Sequence, residues 1–209
     1  LQAGFVQGHL RGGRSGEVAY WVDGQFMVEH FRKVLETAAK YEVSLVVHEP
    51  IKDTGLRRTF PNMMSREGAK GQEFNGFMSS KDNNKPNHTT IIPFTRLLSS
   101  PMDYTPGIFN LVDYRYNSPE DRKINPNHRI PSTISKELAL YVVIYAPVQM
   151  AADLPSNYEG NPAFQFILDV PTDWEETKVL NGEIGEFITI ARKDLSLIHI
   201  SEPTRHSRI

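Results

Sequence analysis

The chain has 209 residues, 39% hydrophobic and 10% aromatic, enough apolar mass for one large domain or one and a half, which excludes a disordered polypeptide. A net charge of -2, with 23 Lys and Arg spread without a cluster, argues against nucleic acid as the main partner. Cysteine is absent, so disulfides and thiolate chemistry are closed to it, and no apolar run approaches the roughly 20 residues of a membrane-spanning helix.

Residues 1–7 read as a strand tip. The chain opens on them with no leader pattern, which predicts a fragment whose N-terminus and any signal peptide lie upstream. Residues 9–16 form a Gly/Arg loop that matches no phosphate-binding spacing in full. Between 22 and 41 the apolar residues Met27, Phe31, Val34 and Ala38 recur at helical spacing, predicting a helix with one core-facing stripe and Asp23 as its cap. Residues 43–47, short, β-branched and bounded by turn residues, predict a buried strand that ends at His48 and Glu49. A second short strand is expected at 59–64, followed by a loop carrying Glu67 and Glu73. A helix interrupted or started by Pro93 covers 88–99, and 101–107 reads as a strand and its tip, with Asp103 at that tip.

Residues 110–133 are polar, rich in Asn and Pro and aperiodic, so they read as a long insertion loop. A helix begins near Ser135 and is stopped by Pro147; 148–152 is a candidate last strand. Alternating apolar residues at 163–168 and 185–190 predict antiparallel strands, and with them a β domain from about Gly160. Residues 195–209 continue no pattern and resemble the translation of a sequencing adapter, so they stand outside the fold as a non-native tail.

Helix, strand and glycine-rich loop in succession follow the βα rhythm of a parallel sheet. Carboxylates at the C-terminal ends of its strands are where a barrel enzyme keeps its chemistry. Paired carboxylates suit glycoside hydrolysis, in which one protonates the leaving oxygen while the other acts on the opposite face. Clustered glutamates also suit calcium, a hard cation that takes oxygen ligands. The bland alternative is that Glu49, Glu67 and Glu73 are solvated or paired with Arg57, Arg58 and Arg66. His48 could be a hydrogen-bonded structural histidine, and Asp103 could cap a turn.

Four motifs in order resemble glycoside hydrolase family 97: His48-Glu49-Pro50, Thr54-Gly-Leu-Arg-Arg-Thr-Phe-Pro-Asn62, Arg66-Glu-Gly-Ala-Lys-Gly-Gln-Glu73 and Pro101-Met-Asp-Tyr-Thr-Pro-Gly-Ile-Phe109. The resemblance covers residues 1–193. It implies an N-terminal β-sandwich, a (β/α)8 TIM barrel and a C-terminal antiparallel β domain. Residues 1–158 would be the second half of the barrel and 159–194 the start of the last domain. Retaining members place a nucleophilic Asp at a strand tip, where this chain has Gly4, so the sequence resembles the inverting α-glucosidase branch. That implies an exo-acting enzyme on α-glucosidic ends of malto- or isomalto-oligosaccharides, located in the periplasm.

By the same resemblance Glu73 is the general acid and Glu49 the general base. His48 and Glu49 bind substrate, and Glu49, Glu67 and Glu73 hold Ca2+. A tension comes with this assignment, because a metal favours the ionised form of Glu73 whereas a general acid must hold a proton. A further base and a further calcium ligand would come from upstream, so the isolated piece is expected to be inactive. A retaining α-galactosidase of the same family and a non-catalytic carbohydrate-binding relative are the rival readings.

Overall fold

The computed structural model describes residues 3–7, 23–77, 84–112, 130–194 and 198–201. The Gly/Arg loop, most of the insertion loop and most of the expected tail lie outside them. Strand β1 (Ala3–Gln7) leads to helix α1 (Gln25–Lys40), then to β2 (Ser44–His48) and β3 (Met63–Arg66). The three strands form a parallel sheet in the order β1-β2-β3, with Gln7 level with His48. An isolated parallel bridge from Arg66 to Met102 carries the ladder one step further, and the Met102 amide donates to Tyr145 O on its far side at 3.3 Å.

Burial explains the local choices. Ser44, Leu45, Val46 and Val47 are all buried, the two-faced burial expected of a parallel strand covered on both sides. One stripe of α1, Met27, Phe31 and Leu35, packs on Leu45, Val47 and Ile51, with Val34 and Ala38 at its margin. Gly24 occupies the N-cap position of α1, and Asp23 does not cap it. The Asp23 carboxylate instead accepts the Lys52 amide at 2.9 Å, tying the helix start to the loop after β2.

Several expectations are corrected. Residues 56–59 form a short helix, α2 (Leu56–Thr59), so β3 starts later than the expected 59–64 strand. Asp53 drives this, since its carboxylate takes the Gly55 amide at 2.9 Å and closes a turn. After α3 (Phe74–Phe77), the expected helix at 88–99 breaks into α4 (His88–Ile91) and two 3-10 turns, Ile92–Phe94 and Arg96–Leu98. Helix α5 (Ile134–Val143) is capped by Thr133, whose hydroxyl accepts the Lys136 amide at 3.1 Å, two residues earlier than the Ser135 signal suggested.

Residues 148–152 form no strand. Met150 O and Pro106 O both accept from the Tyr141 hydroxyl, at 2.8 and 3.1 Å, and the Ala152 amide donates to Pro106 O, so the segment is pinned as an irregular loop. After α6 (Pro155–Tyr158), the alternating stretch at 163–168 is helix α7 (Phe164–Asp169). Asn161 opens it by accepting the Ala163 amide at 3.0 Å. Phe166 and Ile167, adjacent in sequence, both pack on Tyr141, Val142 and Val170, which a strand could not arrange.

The antiparallel sheet therefore begins later, with β4 (Glu176–Glu183), β5 (Phe187–Lys193) and β6 (Ile198–Ser201) in sequence order. β6 lies within the stretch set aside as a tail; its backbone pairs along the β5 edge, an edge that accepts any extended segment. Ile188 and Ile190 of β5 join Ile92, Met102, Tyr104, Leu140, Val143 and Ile144 in one core, which fastens this sheet to the α/β part. Among the described residues no helix is long and apolar enough to cross a membrane.

Candidate active site

The chemistry-bearing residues gather at the C-terminal edge of the parallel sheet. His48 is the last residue of β2, Glu67 follows the last residue of β3, and Asp103 follows the bridging Met102. Backbone bonds align these tips: the Glu67 amide donates to Val47 O at 2.8 Å and the Asp103 amide to Arg66 O at 3.1 Å. Such convergence follows from parallel strands, whose ends on one side must lie together.

The loop from Gly68 to Glu73 then folds back across the edge. Gly68 has φ 72°, and the Gln72 amide donates to Tyr104 O at 2.8 Å. At Gly71 a Cβ would stand 3.3 Å from Tyr104 O and 3.7 Å from Glu67 Oε1, so the backbone lies close over the site. Arg96 holds the root of the loop by donating to Glu67 O at 2.9 Å, Arg66 O at 3.0 Å and Ser100 O at 3.0 Å. Burial lowers its pKa to about 10, which still leaves it charged near neutrality.

At the centre is a tight group. His48, Glu67 and Glu73 each offer a ligand atom within 4.8 Å of the others, His48 partly buried, Glu67 buried and Glu73 exposed. His48 Nε2 lies 2.7 Å from Asp103 Oδ2, and His48 Nδ1 lies 3.9 Å from Glu67 Oε2. Glu49 stands beside this group rather than in it. Its amide makes a long contact, 3.5 Å, to Glu67 Oε2, and its φ of 40° is in the left-handed region unusual for a non-glycine residue.

Electrostatics single out two groups. Burial pushes the Glu67 carboxyl up to about 7; the neighbouring His48 opposes this, and the Glu73 and Glu49 carboxylates reinforce it. The hydrogen bond to Asp103 raises His48 above its usual value against the opposing effect of burial. Glu67 Oε1 and Glu49 Oε2 are both buried without a hydrogen-bond partner among the described residues. Buried carboxylate oxygens left in this state are costly, and a bound cation is one way to satisfy them.

Two of the three arginines offered as partners for the glutamates are engaged elsewhere. Arg57 and Arg66 approach Asp53 at 3.5 and 3.9 Å, and Arg66 also donates to the hydroxyls of Ser99 and Ser100. Among the described residues no ion pair joins Arg57, Arg58 or Arg66 to Glu49, Glu67 or Glu73. Of the expected site residues, the structure brings His48, Glu67 and Glu73 together with Glu49 adjoining. Asp103, read from the sequence as a residue at the next strand tip or a turn cap and given no role in the site, joins them through His48. Gly4 is the second residue of β1, level with Leu45, and the tip of that strand is Gln7; β1 carries no Asp or Glu at any position.

Comparison with known proteins adds a lineage to this geometry. Residues 1–69 match the family model described as Glycoside hydrolase 97. A curated relative named retaining alpha-galactosidase, from Bacteroides thetaiotaomicron, is 37% identical over 173 residues, covering 82% of this chain and 25% of the relative. A family 97 enzyme from Pseudoalteromonas sp. strain K8, solved with acarbose, is 49% identical with a TM-score of 0.75 over 86% of this chain and 26% of its own. A variant of a family 97 enzyme from the same strain, solved with panose, is 50% identical with a TM-score of 0.74 over 85% of this chain and 26% of its own. The chain thus spans about a quarter of the length of the relatives it matches. The family model and the solved relatives together support glycoside hydrolase family 97 as the family of this chain.

Proposed function

We propose that this chain is part of a calcium-dependent glycoside hydrolase that removes α-linked glucose from the non-reducing end of oligosaccharides with inversion. In this reading the parallel sheet is the second half of a (β/α)8 barrel closed by upstream strands, and the protein works in the periplasm. The observation that carries it is the convergence of Glu49, Glu67 and Glu73 at one sheet edge beside a β1 that contributes no carboxylate. An inverting site needs an acid and a base but no nucleophile bonded to the sugar. Similar solved enzymes of family 97 are complexes with acarbose and with panose, which supports an oligosaccharide as the substrate class.

Glu73, exposed on the returning loop, reaches substrate as the general acid that protonates the leaving oxygen. Glu49 is the general base that takes a proton from the attacking water. His48 binds a sugar hydroxyl. The donor set fits calcium: Glu67 Oε1 and Glu49 Oε2 are buried and unpartnered, and Glu73 lies in the same group as Glu67. Glu49, Glu67 and Glu73 would hold the ion, which would supply positive charge beside the reacting sugar. Burial is the leading cause that raises the Glu67 carboxyl, a cost that a bound cation would offset.

The curated relative's name favours a second reading, a retaining α-galactosidase. One experiment on the full-length protein separates the two: aryl α-glucoside and aryl α-galactoside are offered in turn, and proton NMR follows the anomer first released. Release of β-glucose, lost in Glu73→Gln, supports the proposal. Release of α-galactose overturns it in favour of the second reading. Tight oligosaccharide binding with neither hydrolysis would leave a carbohydrate-binding relative.

A further inference from the structure

We propose that Asp103 is a positioning residue that locks the His48 ring in one orientation at the sheet edge, with the hydrogen of the ring held on Nε2. This rests on the reading of the sheet edge as a sugar-binding site, but the pair itself is carried by geometry. His48 Nε2 and Asp103 Oδ2 are 2.7 Å apart across a separation of 55 residues, with the Asp103 side chain only 2% exposed. A carboxylate accepts and does not donate, so the hydrogen of this bond belongs to Nε2. In the neutral ring the acceptor is then Nδ1, on the side of Glu67.

Asp103 is itself held on both sides. Its other oxygen accepts the Thr105 hydroxyl at 3.1 Å, and its amide is bonded to Arg66 O. Thr105 has φ 59° and Glu49, next to His48, has φ 40°, so both strand tips that present the pair carry non-glycine residues in the left-handed region. Such backbone persists only where the surroundings over-determine it, and it clusters at ligand sites. Calcium prefers oxygen ligands, so within the group of His48, Glu67 and Glu73 the imidazole nitrogen is the member best suited to a hydroxyl rather than the ion.

The test uses the full-length protein and two independent readouts. In protein labelled with 15N-histidine, the His48 signals, assigned by their loss in His48→Gln, should report a single tautomer with hydrogen on Nε2. In Asp103→Ala they should move to tautomer-averaged positions; ring signals unchanged from wild type would overturn the proposal. In kinetics with the glycoside that is hydrolysed, Asp103→Ala should lower kcat/KM by about 10- to 100-fold. It should add nothing in a His48→Ala background, and Asp103→Asn, which keeps an acceptor oxygen, should recover part of the loss. Losses that simply add across the two sites would mean that Asp103 acts apart from His48 and would refute it. A wild-type protein that hydrolyses no glycoside defeats the hydrolase reading alone, and the ring signals still decide the role of Asp103.

Discussion

Replacing Glu67 with glutamine should make the metal-free protein more stable above neutrality, although it removes a charged group from a candidate active site. Glu67 is 7% exposed, and burial raises its carboxyl from an ordinary 4.5 to about 7. Below pH 4.5 the group is protonated in both folded and unfolded chains, and its folded environment costs nothing. As pH rises the unfolded chain ionises first, so the stability present at low pH is lost progressively until the folded carboxyl also ionises near 7. A displacement from 4.5 to about 7 amounts to about 3 kcal/mol by pH 8. Glutamine keeps the shape and carries no charge, so the variant escapes this loss.

His48 contributes a pH dependence of the same sign, since its pKa is also raised. The leading cause there is the bond to Asp103, which both proteins retain, while the smaller attraction of His48 to Glu67 is lost in the variant and belongs to the measured difference. The assay is urea unfolding of the full-length protein in chelator at pH 5 and pH 8, wild type beside Glu67→Gln. Wild type should lose about 2–3 kcal/mol relative to the variant between those pH values, part of the whole loss having occurred already by pH 5. Calcium at pH 8 should then stabilise wild type more than the variant, which keeps Glu49 and Glu73 but lacks the ionised Glu67 carboxylate. Parallel pH profiles for the two proteins would refute the argument that Glu67 is a desolvated carboxyl.

Three shorter expectations accompany it. Glu73→Gln should abolish hydrolysis while leaving oligosaccharide binding measurable by calorimetry within about a few-fold, as for a group that acts mainly in the transition state; equal activity in wild type and variant would remove Glu73 from the acid role. Chelation should lower both the melting temperature and the activity of the full-length protein, because the ion ties together side chains from separate strand tips; full activity with an unshifted transition would remove Glu49 and Glu67 from the metal site. Glu137→Ala should destabilise the fold by about 2–4 kcal/mol. The Glu137 carboxylate, 1% exposed, accepts the Gly107 and Ile108 amides at 3.0 and 3.3 Å and the Ser132 hydroxyl, so truncation strands three donors. Denaturant unfolding measures this loss, and a change within about 0.5 kcal/mol would mean that water replaces the side chain.

Local pattern determined the elements whose signal is strong and short-range. The helical spacing of Met27 and Phe31 and the apolar run Leu45-Val46-Val47 of β2 were legible in the sequence, and the tip residues His48 and Glu49 follow directly from the end of that run. The motifs around Glu67 and Glu73 were likewise legible as a chemical loop. Pattern misled where two periods fit the same residues. In α7 the alternation of Phe164, Phe166 and Leu168 is compatible with a strand, and the contact of both Phe166 and Ile167 with α5 decides for a helix.

Other facts were outside the reach of any window along the chain. That Arg57 and Arg66 serve Asp53 rather than the glutamates depends on which strand tips the sheet order makes neighbours. Tertiary structure alone brought Asp103 to His48 and made Glu67 the desolvated carboxyl of the group. Burial and pairing are properties of the space between strands, set by parallel register and by the core beneath, and a residue's own neighbours in sequence carry no record of them.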